Sequence, residues 1–327
     1  MNVLTYIFEY LVQAIPLGIT FVYGSVGEIL TEKVGHLNLG IPGVMCIGAA
    51  GGCTMLQLLM TVSGGAFHPI LVVFLGILAA FLSAALMGLL YSFLTVTLKA
   101  NQNVTGLALT IFGVGAMKHM MAGLGGSSYL DALPYFRYPF SEAEHGTVWR
   151  SMQLFGVMFF LAILIAVVAS YLLSHTKVGL HLRAVGENPA TADAVGINVT
   201  AYKYVATCIG SGIAGLGGLY YILDYSGSPE AYKSIEPLGW LSIALVIFAL
   251  WRPILSILGS VIFGALFVAG YYIPAIQAIK LDMTATPLLK MLPYLVTMIV
   301  LIVSSIRNKR ENQPPTCLGV NYYREER

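Results

Sequence analysis

The stretch PILVVFLGILAAFLSAALMGLLYSFLTVTL, residues 69–98, runs for thirty residues without an Asp, Glu, Lys or Arg. A helix rising 1.5 Å per residue crosses the hydrocarbon of a bilayer in about 20 mostly apolar residues. This stretch is long enough for one span with tilt. Working outward, no charged residue occurs anywhere between Lys33 and Lys99. Residues 151–176, 204–223, 253–279 and 291–306 are charge-free as well. Over all 327 residues, 57% are hydrophobic and 10% charged, against about 25% charged in a soluble domain. The fold class that follows is an all-α polytopic membrane protein of about 8–10 transmembrane helices, with at least one broken or re-entrant helix.

The same arithmetic removes other classes. A net charge of +2 offers no basic surface for nucleic acid. The four cysteines, Cys46, Cys53, Cys208 and Cys317, have no paired spacing, so neither a disulfide framework nor a metal site is implied. Residues 1–9 contain no Lys or Arg, so the first apolar stretch is expected to remain as a membrane segment.

Hydropathy and helix breakers place spans over about residues 4–23, 40–60, 69–98, 104–123, 152–173, 204–223, 254–274 and 288–305, with a shorter segment at 239–250. Polar interruptions are expected at 24–39, 99–103, 125–150, 175–202 and 224–238. If the 175–202 loop is cytoplasmic and the spans alternate, eleven of the seventeen Lys and Arg lie inside, and so does the C-terminal tail. The domain reading is a transmembrane body over 1–306, with a loop at about 175–202, and a cytoplasmic tail over 307–327. Gly210, Gly212, Gly215, Gly217 and Gly218 crowd one span, which points to tight helix–helix packing. Tyr220, Tyr221, Tyr225, Trp240 and Trp251 suit an interfacial aromatic belt, with stacking on a base as the other use.

No catalytic set appears: there is no nucleophile elbow, no HExxH, no paired carboxylates on one helix face and no phosphate-cradling loop. The chain therefore reads as no enzyme and as needing no cofactor of its own. Two polar segments stand out instead. GEILTEKVGHLNLGIPG, residues 27–43, puts polar residues and glycines between apolar helices. Irregular backbone at membrane depth must be buried in protein or line a wet cavity, and broken helices of this kind often build transporter sites. Asn38 here, with Gln102, Asn103 and Thr105 further on, can donate and accept hydrogen bonds without the cost of a buried charge, so these four are the candidate substrate pathway. Lys118 and His119 are either functional intramembrane residues or snorkel to the outer interface. The second segment is GLHLRAVGENPATADAVGIN, residues 179–198. Asn188 is a good N-cap with Pro189 at the first helical position, and a short small-residue helix is expected to end at Gly196.

This second segment resembles the coupling segment of ABC-transporter permeases that import sugars and nucleosides, in the pattern G-x-x-L-R-A-V-G-x-N-x-x-A-A-x-x-x-G-I. The matches are Gly179, Leu182, Arg183, Ala184, Val185, Gly186, Asn188, Ala192, Gly196 and Ile197. The run Ser211–Gly218 is similar to the family's S-G-x-x-A-G-x-x-G helix. Gly27, Glu28, Glu32, Gly35, Leu37, Asn38, Leu39, Gly40 and Gly43 resemble an element of the nucleoside-type branch. Leu318, Gly319, Tyr322 and residues 324–327 resemble its terminus. Two departures concern substrate: Pro42 stands where the family usually has Glu, and the motif over 103–109 leads into Thr110 where it usually carries Asn. The resemblance implies a translocation subunit for a nucleoside or simple sugar in the cell membrane of a prokaryote. It implies a second, non-identical permease, separate cytoplasmic ATPases, and an extracellular lipoprotein that delivers substrate. Arg183, Gly186, Glu187, Asn188, Pro189, Ala192 and Gly196 would then couple to the ATPase. The rival is a secondary transporter driven by an ion gradient, for which Glu28 and Glu32 are the near candidates.

Overall fold

The computed structural model describes residues 3–63, 67–137, 155–275, 289, 291–307 and 313–323. Among these, all regular structure is helical. The first half contains α1 (Val3–Lys33), α2 (Ile41–Ser63), α3 (Pro69–Ser92, extended by a π-helical turn Phe93–Thr97), α4 (Gln102–Gly123) and the short α5 (Leu133–Arg137). The second half contains α6 (Val157–His175), α7 (Lys177–Glu187), α8 (Pro189–Ala194), α9 (Val199–Tyr220, extended by a π turn Tyr221–Ser226), α10 (Ile235–Phe248), α11 (Pro253–Ala275) and α12 (Leu292–Arg307). Eight of the described helices are long and apolar enough to cross a membrane. The sixteen-residue α12 packs beside α10 and α11.

α1 and α9 are the most enclosed spans and α3 and α6 the most exposed. α9 packs between α1, α2 and α3, while α1 also runs along α10 and α11. The glycines explain how two helices fit at the centre. A Cβ on Gly27 of α1 would lie 2.3 Å from the Gly210 carbonyl oxygen, and one on Gly210 would lie 2.4 Å from that of Gly27. α2 crosses α9 in the same way, a Cβ on Gly48 falling 2.5 Å from the Gly215 oxygen. Lipid tails give no hydrophobic drive for helix association, so backbone-to-backbone approach supplies dispersion energy instead. On the outside, Ile70, Phe74, Leu78, Leu82 and Leu86 form an exposed apolar stripe along α3, the face a helix presents to lipid.

Two spans differ from the hydropathy reading. α1 does not stop near residue 23 but continues to Lys33, so Glu28 and Glu32 are helical and the interruption is only residues 34–40. Gly24 and Gly27 suggest breakers by their sequence context. They are helix crossings, against Ser242 and Gly210. The short segment at 239–250 is the end of α10, which begins at Ile235. Half of the loop expected over 125–150, residues 138–150, and residues 324–327 of the terminal motif lie outside the described residues.

Candidate functional site

One end of the bundle gathers five pieces: the α1–α2 connection, the α3–α4 turn, α7 with α8, the α10–α11 turn, and residues 313–323. The α1–α2 connection is buried although it has no helix of its own. His36 is 1% exposed and Asn38 0%, so their polar groups need protein partners. His36 Nδ1 lies 2.9 Å from Thr207 Oγ1, and its ring meets Tyr91 edge to face at 5.8 Å. The Tyr91 hydroxyl donates to the Leu37 carbonyl at 2.7 Å, and the Leu37 N–H donates to Gln102 Oε1 at 2.9 Å. The Asn38 N–H donates to Glu28 Oε1 at 3.1 Å, while Asn38 Oδ1 accepts from the Gly40 N–H at 2.9 Å. Thr110 Oγ1 donates to the Leu39 carbonyl at 2.9 Å. This segment is thus held from α1, α3, α4 and α9.

Three of the four pathway candidates, Asn38, Gln102 and Thr105, are buried at this segment or at the start of α4, whereas Asn103 is exposed. Among the described residues, the buried Asn38 Nδ2 has no hydrogen-bond partner here. Thr110 uses its hydroxyl to hold the loop, and Pro42 fills the close approach to Gly239 of α10. The two departures from the family pattern are therefore packed into the walls of this segment. Lys118 and His119 are exposed on α4.

The second zone is α7 with α8. The Thr176 hydroxyl caps α7 by accepting from the Gly179 N–H, and Asn188 Oδ1 caps α8 by accepting from the Thr191 N–H at 3.0 Å. Gly196, at φ +87°, turns the chain out of α8 as a helix C-terminus favours. Pro189 and Ala192 face inward, Ala192 packing in a cluster with Ile29, Val185 and Val199. Gly186 is buried against the Lys33 carbonyl. Arg183, Glu187, Asn188 and Gly196 are exposed, with Ala190, Thr191, Ala194 and Val195 beside them. The small-residue helix thus presents an outward face, and Ala192 is not on it.

Residues 313–323 lie across both zones. The Thr316 hydroxyl donates to Glu187 Oε2 at 2.6 Å, and the Cys317 N–H to the Gly186 carbonyl at 3.1 Å. The Gly319 N–H donates to the Gly35 carbonyl at 3.1 Å. Gln102 Nε2 donates to Asn321 Oδ1 at 3.1 Å, and Lys99 Nζ to the Tyr322 carbonyl at 2.6 Å. The Tyr322 hydroxyl donates to Asp193 Oδ2 at 2.9 Å. Burial pushes the Cys317 thiol above its usual range, with Lys203 opposing and Glu187 reinforcing the shift. For His36, burial first and then Lys203 and Lys99 hold the imidazole well below its usual range, so it stays neutral.

Sequence reasoning missed three of these side chains. Trp251 is not in an aromatic belt: it is buried, and its indole N–H donates to Glu32. Tyr220 is buried too, its hydroxyl donating to the Pro16 carbonyl at 2.9 Å. Tyr91 sits in the most apolar stretch of the chain, where its single hydroxyl was the only signal.

A family described as "Branched-chain amino acid transport system / permease component" matches residues 6–302. The nucleoside ABC transporter permease protein NupC of Lactococcus lactis is 31% identical over 93% of this chain and 93% of its own length. The guanosine ABC transporter permease protein NupQ of Bacillus subtilis is 29% identical over 89% of each chain. The putative glucose ABC transporter permease protein TsgC13 of Haloferax volcanii is 31% identical over 74% of this chain and 70% of its own. No solved structure matches the chain.

Proposed function

The chain belongs to the family of permease components of branched-chain amino acid transport systems, and from that premise we propose that it is one of two non-identical permeases importing a nucleoside. It is a multi-pass permease subunit of an ABC transporter, which sets aside the ion-gradient reading. ATPase and substrate-binding partners follow from that membership. A nucleoside is favoured over a sugar because the nucleoside relatives match about nine tenths of the chain, the glucose relatives 74% and 80%. Asn38, Gln102, Asn103 and Thr105 serve the substrate pathway. Residues 1–306 form the transmembrane body and 307–327 a cytoplasmic tail. The excess of Lys and Arg at the end carrying α7, α8 and the tail supports a cytoplasmic location for that end.

The observation that carries the reading is the capped α8, anchored by Pro189 and Ala192 with its other face open. An ATPase groove takes Ala190, Thr191, Ala194 and Val195, and Arg183, Glu187 and Asn188 make weaker rim contacts. Gly186 and Gly196 set the turns at either end. Nucleotide-driven closure of the ATPases moves α7 and α8 and so the segment packed above them.

The test substitutes Val195, which is 71% exposed. Val195→Arg is expected to leave thermal stability unchanged, to lose co-purification with the ATPase, and to abolish uptake of labelled guanosine. An intact complex with normal uptake would sink the docking assignment. Uptake competed by glucose but not by nucleosides would sink the substrate assignment alone.

A further inference from the structure

Between the ends of α1 and α6, the start of α11 and one face of α7 lies a cavity of about 640 Å³ outside the candidate substrate pathway, and two of its wall residues, Arg183 and Glu187, are also the proposed rim contacts for the ATPase. Its wall carries Lys33, Arg183 and Arg252, one carboxylate, Glu187, and the hydroxyls of Ser170 and Ser174. Lys33 is within electrostatic reach of four charged neighbours, repelled by Arg183 and Arg252 and attracted by Glu187 and, more weakly, by Glu32. Glu187 is already engaged, its Oε2 accepting from Thr316. Among the described wall residues, three cations stand against one carboxylate, beside two neutral hydroxyls. Such a surface concentrates anions.

A second feature adjoins it. A groove of about 320 Å³ lined by apolar side chains, among them Leu30, Leu172, Val178, Leu182 and Val205, runs between α1, α6, α7 and α9. Leu173 forms part of the wall of both the groove and the cavity. The groove fits hydrocarbon, the cavity a phosphate, and the two have Leu173 in common.

We propose that this cavity binds the phosphodiester headgroup of an anionic phospholipid, with one acyl chain in the adjoining groove. Basic pockets between spans at a membrane face are suited to such headgroups. The lipid bridges α1 and α11 to α7, so it fastens the coupling helix to the body. The site is independent of what the permease carries, and its test does not require uptake.

The full-length chain, purified in a neutral detergent, is titrated with dioleoyl phosphatidylglycerol or dioleoyl phosphatidylcholine and read by native mass spectrometry. Inorganic phosphate is added as competitor in a separate arm. Phosphatidylglycerol is expected to bind in preference to phosphatidylcholine. Lys33→Gln and Arg252→Gln should each weaken that preference about fivefold, the factor that about 1 kcal/mol per basic residue gives. Lys33→Arg should retain it. Equal binding of the two lipids overturns the proposal, and so does loss of binding in Lys33→Arg to the extent seen in Lys33→Gln. Displacement of phosphatidylglycerol by millimolar phosphate assigns the site to a soluble anion and overturns the lipid.

Discussion

Trp251 and Leu250 both adopt left-handed backbone, at φ +54° and +53°, which costs an L-residue roughly 1–2 kcal/mol. The turn is held because the Trp251 indole reaches the buried Glu32. Removing a donor from a buried acceptor costs about 1–3 kcal/mol. Trp251→Phe should therefore lower the thermal midpoint in detergent clearly, while Glu32→Gln, which keeps a carbonyl acceptor, should lower it less. Equal losses in the two variants would show that the bond is not what holds the turn. His36 gives a pH dependence of known sign. Its imidazole is held neutral in the folded chain, whereas an exposed His titrates near 6.5. Below about pH 6.5 the unfolded chain takes up a proton that the folded one refuses, so stability falls as pH drops. His36→Gln should flatten that slope between about pH 7.5 and 5.5, read as the thermal midpoint. An unchanged slope would place its origin in other groups.

At the scale of the element, the spans were readable because a charge-free apolar run of twenty residues or more fits little besides a helix in lipid. The caps of α8 were readable because Asn followed by Pro, then Gly, is local chemistry. What the sequence could not reveal is which glycines break helices and which join them. Gly24 and Gly27 sit among polar residues and suggest a loop, yet α1 passes through both without interruption. Their partners, Ser242 and Gly210, are about two hundred residues away, and no local pattern encodes them. The candidate site divides along the same line. The Asn38 segment and the capped α8 were visible as motifs, but Tyr91, Thr207 and Trp251, which hold or flank them, come from distant spans. The distinction between glycines is testable. Gly210→Ala places a Cβ 2.4 Å from the Gly27 carbonyl oxygen, backbone that cannot yield, and overpacking of this kind costs about 1–3 kcal/mol. Gly115→Ala on α4 meets nothing within 4 Å, so it should be neutral or stabilising by up to about 1 kcal/mol through helix propensity. Thermal unfolding of the two variants should move in opposite directions or leave only the first reduced.

Across the whole molecule, residues 313–323 connect parts that are far apart in sequence. They join α7 through Glu187, α8 through Asp193, the α1–α2 segment through Gly35, and the α3–α4 turn through Lys99. Lys99 itself adopts left-handed backbone at φ +57° while its ammonium holds the Tyr322 carbonyl. If α7 and α8 move with an ATPase as proposed, they must either carry this strap along or release it, and the strap's bonds to Gly35 and Gln102 would pass the movement to the segment that contains Asn38. Its hydrogen bonds, at about 1 kcal/mol each, add little to global stability but hold α7 and α8 in the arrangement seen here. Tyr322→Phe removes the bond to Asp193 and keeps the ring. It is expected to leave the thermal midpoint nearly unchanged and to loosen the relation between ATP hydrolysis and uptake, raising hydrolysis per molecule transported. Cys317 reports the release: its half-buried thiol donates to the Glu187 carbonyl at 3.4 Å, and burial pushes it above its usual range. Maleimide labelling of Cys317 should be slow in the parent chain and severalfold faster in Tyr322→Phe. Unchanged labelling together with unchanged coupling would reduce the strap to a passive contact, and movement of the coupling helices would then have to reach the bundle through α7 and α9 alone.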